Sequence, residues 1–134
     1  MKDYLELRKE ELKKRGNKGF TLMEMLIVVA IIAVLIAIAI PVFTSQLENS
    51  REAADAANLR SAYAEVAAKY LTDGASGASN SKTVTAAQMQ DSWQNDTIKN
   101  GNIGDIPVSS SVSAKVNGNS WVVSCDGSGT VTIN

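Results

Sequence analysis

The chain has 134 residues, 45% of them hydrophobic and 20% charged, with a formal net charge of −1 at pH 7. That length builds one small domain at most. With no histidine and a single cysteine, Cys-His and Ser-His-Asp nucleophile systems, His-rich metal sites and internal disulfides are all excluded.

The near-neutral total hides a split. Residues 1–19 carry seven of the 13 Lys and Arg (Lys2, Arg8, Lys9, Lys13, Lys14, Arg15, Lys18) and four of the 14 acids (Asp3, Glu6, Glu10, Glu11), so the rest of the chain has a net −4 on its side chains. Residues 5–14 are rich in helix formers with opposite charges at helical spacing, which predicts a helix. Basic residues ahead of an apolar run hold that end in the cytoplasm and send the C-terminus outward.

The apolar run follows at once. Residues 26–40 are 15 uninterrupted apolar side chains, and residues 20–43 as a helix would measure roughly 36 Å, enough to cross a bilayer. The same Ile, Val and Ala surface suits tight packing in a helical bundle. Inside this segment stands one carboxylate, Glu24, which at such depth costs about 2.5–3.5 kcal/mol and is therefore expected to have a function and a specific partner. An amine is the favoured partner. A cut after Gly19 would leave a new α-amino group on Phe20, mostly protonated near neutrality with a pKa of about 8, four residues from Glu24. Farther on, Pro41 has no N–H to bond back to Ala37 and its ring crowds that carbonyl, so a kink or local opening is expected there.

Residues 44–72 are Ala-rich, with Leu59, Ala62, Tyr63, Val66 and Tyr70 on one face at 3.6-residue spacing, a stripe expected to dock on a sheet. The pair Asp73-Gly74 ends this helix, and residues 75–81 read as a flexible surface loop. Thr85 with Gln88 three residues on predicts a capped short helix to about Ser92. The last quarter reads as a β-meander of residues 111–116, 120–125 and 130–133, with turns at Asn117-Gly118 and Asp126-Gly127-Ser128-Gly129. Val112, Ala114 and Val116, and then Trp121, Val123 and Cys125, alternate with polar residues and define one buried face. Three strands alone are marginal, so that face is expected on the helical stripe. Cys125 reads as a buried, inert thiol. The fold class is α+β.

The string Gly19-Phe20-Thr21-Leu22-Met23-Glu24, with the apolar run to Ile40 and Pro41 behind it, resembles the N-terminus of type IV pilins, the class III signal read by prepilin peptidase. In that family a basic leader ends in Gly, the next residue is usually Phe, the fifth residue of the mature protein is Glu, and an apolar helix follows. The resemblance covers about 25 of 134 residues. It implies a long N-terminal helix, transmembrane in its first half, on a small C-terminal antiparallel sheet. It divides the chain into a removed leader (1–19), a membrane and filament-core segment (20–43), an amphipathic helix (44–73) and a globular region (74–134).

The resemblance also implies cleavage between Gly19 and Phe20, N-methylation of Phe20 by the same enzyme, and pairing of Glu24 with the amine of a neighbouring subunit in the filament. The partners it implies are further copies of the chain in a helical homopolymer, prepilin peptidase, an assembly ATPase with its platform protein, and the cytoplasmic membrane before assembly. The protein would be a single-pass precursor first and part of an extracellular pilus afterwards. It would need no cofactor and no metal. The lone Cys125 departs from the C-terminal disulfide loop of many Gram-negative pilins.

Three structural roles fit this reading: a major pilin, a pseudopilin or minor pilin of a secretion or DNA-uptake fibre, and a signal-anchored surface domain that binds a partner without polymerising. Glu24 argues against a tip-initiating minor subunit, a group that often lacks the charge. The pattern Ala37-Ile38-Ala39 offers a different cut, by ordinary signal peptidase, giving a soluble domain that starts near Ile40. The apolar run is longer than the usual 7–15 residues of such signals, and Glu24 would then have no purpose. The acids Asp91, Asp96, Asp105 and Asp126 are scattered singly in turn-like sequence and read as solvated loop residues rather than a calcium site. No phosphate-binding glycine motif and no basic patch with aromatics points to nucleotide or DNA binding. The reading is a structural subunit, not an enzyme.

Overall fold

The computed structural model describes residues 2–18 and 21–134, with side chains at 3–13, 21–77 and 79–134. In chain order the elements are α1 (Lys2–Lys18), α2 (Leu22–Asp73), a 3-10 turn (Gly77–Asn80), β1 (Ser81–Thr85), α3 (Asp96–Lys99), β2 (Asn102–Ile103), β3 (Ile106–Pro107), α4 (Val108–Ser111), β4 (Ser120–Cys125) and β5 (Val131–Ile133). They fall into two compact units, Met1–Val42 and Phe43–Asn134.

In the first unit, α1 is exposed at every described side chain, and α2 is exposed at every residue up to Val42. The sequence here holds no glycine between Leu22 and Val42 and only one charge, Glu24. A helix satisfies all its backbone groups within the segment, which is what a surface this apolar requires. Helix α2 runs on through Pro41 in a single assignment.

In the second unit, α2 buries Ala56, Leu59, Ala62 and Val66 in one apolar cluster with Val84 of β1, Trp121, Val123 and Cys125 of β4, and Val131 and Ile133 of β5, while Tyr63 and Tyr70 pack at its margin. The expected helical stripe is thus the docking face. The helix stops where Gly74 takes φ +65 and donates its N–H to the Tyr70 carbonyl at 2.9 Å, the left-handed cap that glycine adopts without steric cost.

The sheet is antiparallel in the order β1-β4-β5. Thr83 faces Val122 and Ser124 faces Thr132, and reciprocal bonds between Val122 and Asn134 at 2.8 and 3.0 Å extend the β4–β5 ladder. Two of the three expected strands are therefore present. The third, residues 111–116, is not a strand: α4 ends at Ser111 and an irregular segment follows. The reason lies in the tryptophans. Trp93 and Trp121 stack with ring centroids 6.0 Å apart. Their indole N–H groups donate to the carbonyls of Val112 at 3.0 Å and Ser113 at 2.8 Å. Val112 is buried, so its apolar alternation served the core without entering the ladder.

The vacant place in the sheet belongs to β1, whose Ser-rich approach resembled a loop. Buried Asn80 fixes that approach by donating from Nδ2 to the carbonyls of Val66 at 2.8 Å and Ala75 at 2.9 Å. The expected helix at residues 85–92 is also absent, because its backbone donors are claimed elsewhere. Asp55 accepts the N–H groups of Ala87 and Gln88, and Glu48 accepts those of Met89 at 2.7 Å and Gln90 at 2.9 Å. Glu52 continues the series with Gln94 and Asn95, both at 2.7 Å. These acids stand at i, i+4 and i+7 on the buried face of α2. Each grips two backbone donors, and charge-assisted bonds of this kind run at roughly twice the strength of neutral ones.

Three titrating groups show the local fields. The Tyr63 hydroxyl donates to Asp105 at 2.6 Å, and that bond, with partial burial, raises its pKa above the usual tyrosine value. Its ring lies against Gly104, at φ +63, where any Cβ would overlap it. Asp126 accepts from the Ser128 hydroxyl at 2.6 Å and from the N–H groups of Ser128 and Thr130 at 2.8 and 2.9 Å, which lowers its pKa. Cys125 is a buried free thiol whose pKa is pushed up by burial and then by the Asp126 charge.

Candidate processing and assembly segment

The start of α2 is built by two residues. Thr21 donates its backbone N–H to Glu24 Oε2 at 2.9 Å, and the Glu24 N–H donates to Thr21 Oγ1 at 3.2 Å. This is the reciprocal capping box of a Thr-x-x-Glu sequence, which satisfies two of the four donors a helix leaves unpaired at its N-terminus. Negative charge there also meets the positive end of the helix dipole. Glu24 is thus held on the N–H of Thr21, and Thr21 is one residue past the position where a cut after Gly19 would place an amine. Its second oxygen, Oε1, has no hydrogen bond among the described residues.

The candidate residues distribute as follows. Gly19 and Phe20 lie outside the described residues. Glu24 sits in the first turn of α2, and Pro41 sits inside the same helix. Between them Ile27, Val29, Ile31, Val34, Leu35 and Ile38 are each 53–63% exposed, so this surface has no partner within the described residues. It is the one described helix long and apolar enough to cross a membrane. The dispersed acids Asp91, Asp96, Asp105 and Asp126 do not converge, and among the described residues no three His, Cys, Asp or Glu side chains gather as a metal site would require.

Sequence reasoning missed Thr21, although Thr-x-x-Glu ahead of an apolar run is a capping signature. It also missed Glu48, Glu52 and Asp55. Their spacing places them on the face continued by Leu59, Ala62 and Val66, and that register was the available signal.

The comparisons with known proteins bear on this segment. A family model described as the prokaryotic N-terminal methylation motif matches residues 14–40, which include Gly19, Phe20, the capping box and the apolar run. In this segment the chain is similar to type IV pilins. It is 34% identical over 86 residues to fimbrial protein EcpC of Eikenella corrodens, covering 63% of the chain and 56% of that relative. It is 50% identical over 50 residues to the type IV narrow pilus major component PilA5 of Thermus thermophilus, covering 35% of the chain and 43% of that relative. The chain therefore spans about half the length of the curated relatives it matches. No solved structure matches.

Proposed function

We propose that this chain is the major structural subunit of a type IV pilus, made as a single-pass precursor in the cytoplasmic membrane and assembled into an extracellular helical filament. The observation that carries the reading is the part of α2 from Leu22 to Phe43, exposed throughout and apolar but for Glu24. Such a surface needs lipid before assembly and other copies of itself afterwards. The likeness to a major pilus component supports the major role over a minor one.

Prepilin peptidase removes residues 1–19 and methylates Phe20. Methylation leaves the amine basic, so it can meet Oε1 of Glu24 on a neighbouring subunit. Because the pair neutralises two charges in an apolar surrounding, breaking it by removing one partner costs several kcal/mol, on the order of 3–5. Helix cohesion starts from lipid rather than water, so close packing and this pair supply the net gain. An assembly ATPase and its platform protein drive the lift from the membrane.

The test is to shear cells and measure the intact mass and first residue of the chain in the released fraction. A dominant species that begins at methylated Phe20 is the expected result. A species cut there but scarce in the sheared material would assign the chain to the pseudopilins or minor pilins, and a start near Ile40 would overturn the reading. Gly19→Asp should leave the uncut precursor in the membrane.

A further inference from the structure

Over positions 3–13, helix α1 is more ordered in its charges than a simple basic leader requires. At 3.6 residues per turn, the described positions 3–13 divide into two halves of the helix circumference. One half carries Tyr4, Leu5, Arg8, Lys9, Leu12 and Lys13. The other carries all four acids of the leader, Asp3, Glu6, Glu10 and Glu11, together with Leu7. The apolar members of the basic half are open, with Tyr4 73%, Leu5 62% and Leu12 66% exposed. A helix with its basic side chains and two leucines on one side and its acids opposite fits a negatively charged headgroup surface.

The chain itself says where such a surface lies. Helix α1 ends at Lys18 and α2 begins at Leu22, so the leader is tethered within roughly 14 Å of the start of the apolar segment. For a membrane precursor, that is the cytoplasmic leaflet. We propose that α1 lies along the cytoplasmic membrane surface with its Tyr4-Leu5-Arg8-Leu12 side on anionic phospholipid headgroups and its acids toward the cytoplasm. Tyr4 and the leucines enter the headgroup layer, where aromatic and aliphatic side chains with a polar margin are stable. Arg8, Lys9 and Lys13 reach the phosphates. The tether raises the local concentration of the helix at the surface, so a short apolar stripe suffices. The leader is thereby fixed in rotation as well as depth, which presents its junction with α2 to a membrane-bound peptidase from one side.

This inference rests on the membrane-precursor reading, and the test separates the two. The uncut precursor is placed in vesicles of phosphatidylcholine alone or mixed with phosphatidylglycerol, with a spin label on Leu12→Cys or on Glu10→Cys; buried Cys125 stays unlabelled in the folded protein. In the anionic vesicles the label at 12 should gain access to oxygen and lose access to a water-soluble nickel chelate, while the label at 10 stays in water. In phosphatidylcholine alone both should stay in water. Reversing Arg8, Lys9 and Lys13 to Glu should lower the surface preference by at least about a hundredfold, from about fivefold for each basic side chain removed.

Equal water exposure of position 12 in both vesicles, or contact indifferent to the charge reversal, overturns the inference and leaves the span intact. Protection of position 12 that appears only when the peptidase is added assigns the face to protein and also overturns it. A precursor that fails to enter vesicles at all overturns the membrane reading together with this one.

Discussion

Glu24, in the first half of α2, holds one backbone donor, the N–H of Thr21, whereas Glu48, Glu52 and Asp55 in the second half hold six between them. Glu52 and Asp55 are fully buried and Glu48 is 7% exposed, yet each is satisfied from within its own chain. Glu24 stands in an apolar surface, and its second oxygen has no hydrogen bond among the described residues. The same chemical group on one helix therefore plays two parts, and the supply of donors decides which. Six satisfied donors make a structural clasp. One satisfied donor leaves a carboxylate that can still take a partner from another molecule.

The sharpest way to break this contrast is Glu24→Val. It should leave cleavage and the globule unchanged and reduce filament in the sheared fraction to a trace; ordinary yield would show that the second oxygen has no partner. Next is Glu52→Ala, which strands the N–H groups of Gln94 and Asn95. These donors are part-buried, so toward the lower end of about 1–3 kcal/mol for each buried group left unpaired the globule should lose roughly 2–4 kcal/mol in denaturant unfolding followed by tryptophan fluorescence. Glu52→Gln should recover part of that loss, since an amide oxygen still accepts.

A smaller effect is expected from Thr21→Ala. The bond from the Glu24 N–H to Oγ1 is lost at about 0.5–2 kcal/mol while the backbone N–H of residue 21 still reaches Glu24, seen as faster amide exchange at Glu24, and filaments still form because Glu24 remains. The smallest effect concerns Asp126, whose folded pKa is lowered. Its contribution is present above the ordinary carboxylate pKa and is lost as pH falls through the folded value. The β4–β5 turn should therefore loosen in acid, followed by amide exchange at Ser128 and Thr130, and Asp126→Asn should remove that part of the pH dependence.

The sequence disclosed what is periodic or compositional. The apolar run, the stripe through Leu59, Ala62 and Val66, the stop at Gly74 and the strands β4 and β5 with the Asp126 turn between them were all legible. Partner choice was not. Residues 111–116 alternate like a strand, but the stacked indoles of Trp93 and Trp121 take carbonyls there, and tryptophans 28 positions apart leave no local sign of their stacking. The pattern Thr85-x-x-Gln88 resembles a helix start, but carboxylates more than 30 positions earlier take the donors that helix would have used. β1 went unseen because only Val84 of its five residues is buried. At the candidate site, Glu24 was legible as a cost, while its local partner Thr21 required attention to backbone donors rather than to hydropathy.

The clasp on residues 87–95 grips main chain only. Ala87, Met89, Gln90 and Gln94 point their side chains into solvent while their N–H groups do the holding, so these positions are free to change identity without loosening the segment. Proline alone is barred, because it has no N–H to give. The outer face of this segment can therefore change in charge, size and polarity, altering what the surface displays while the path of the chain beneath it stays the same.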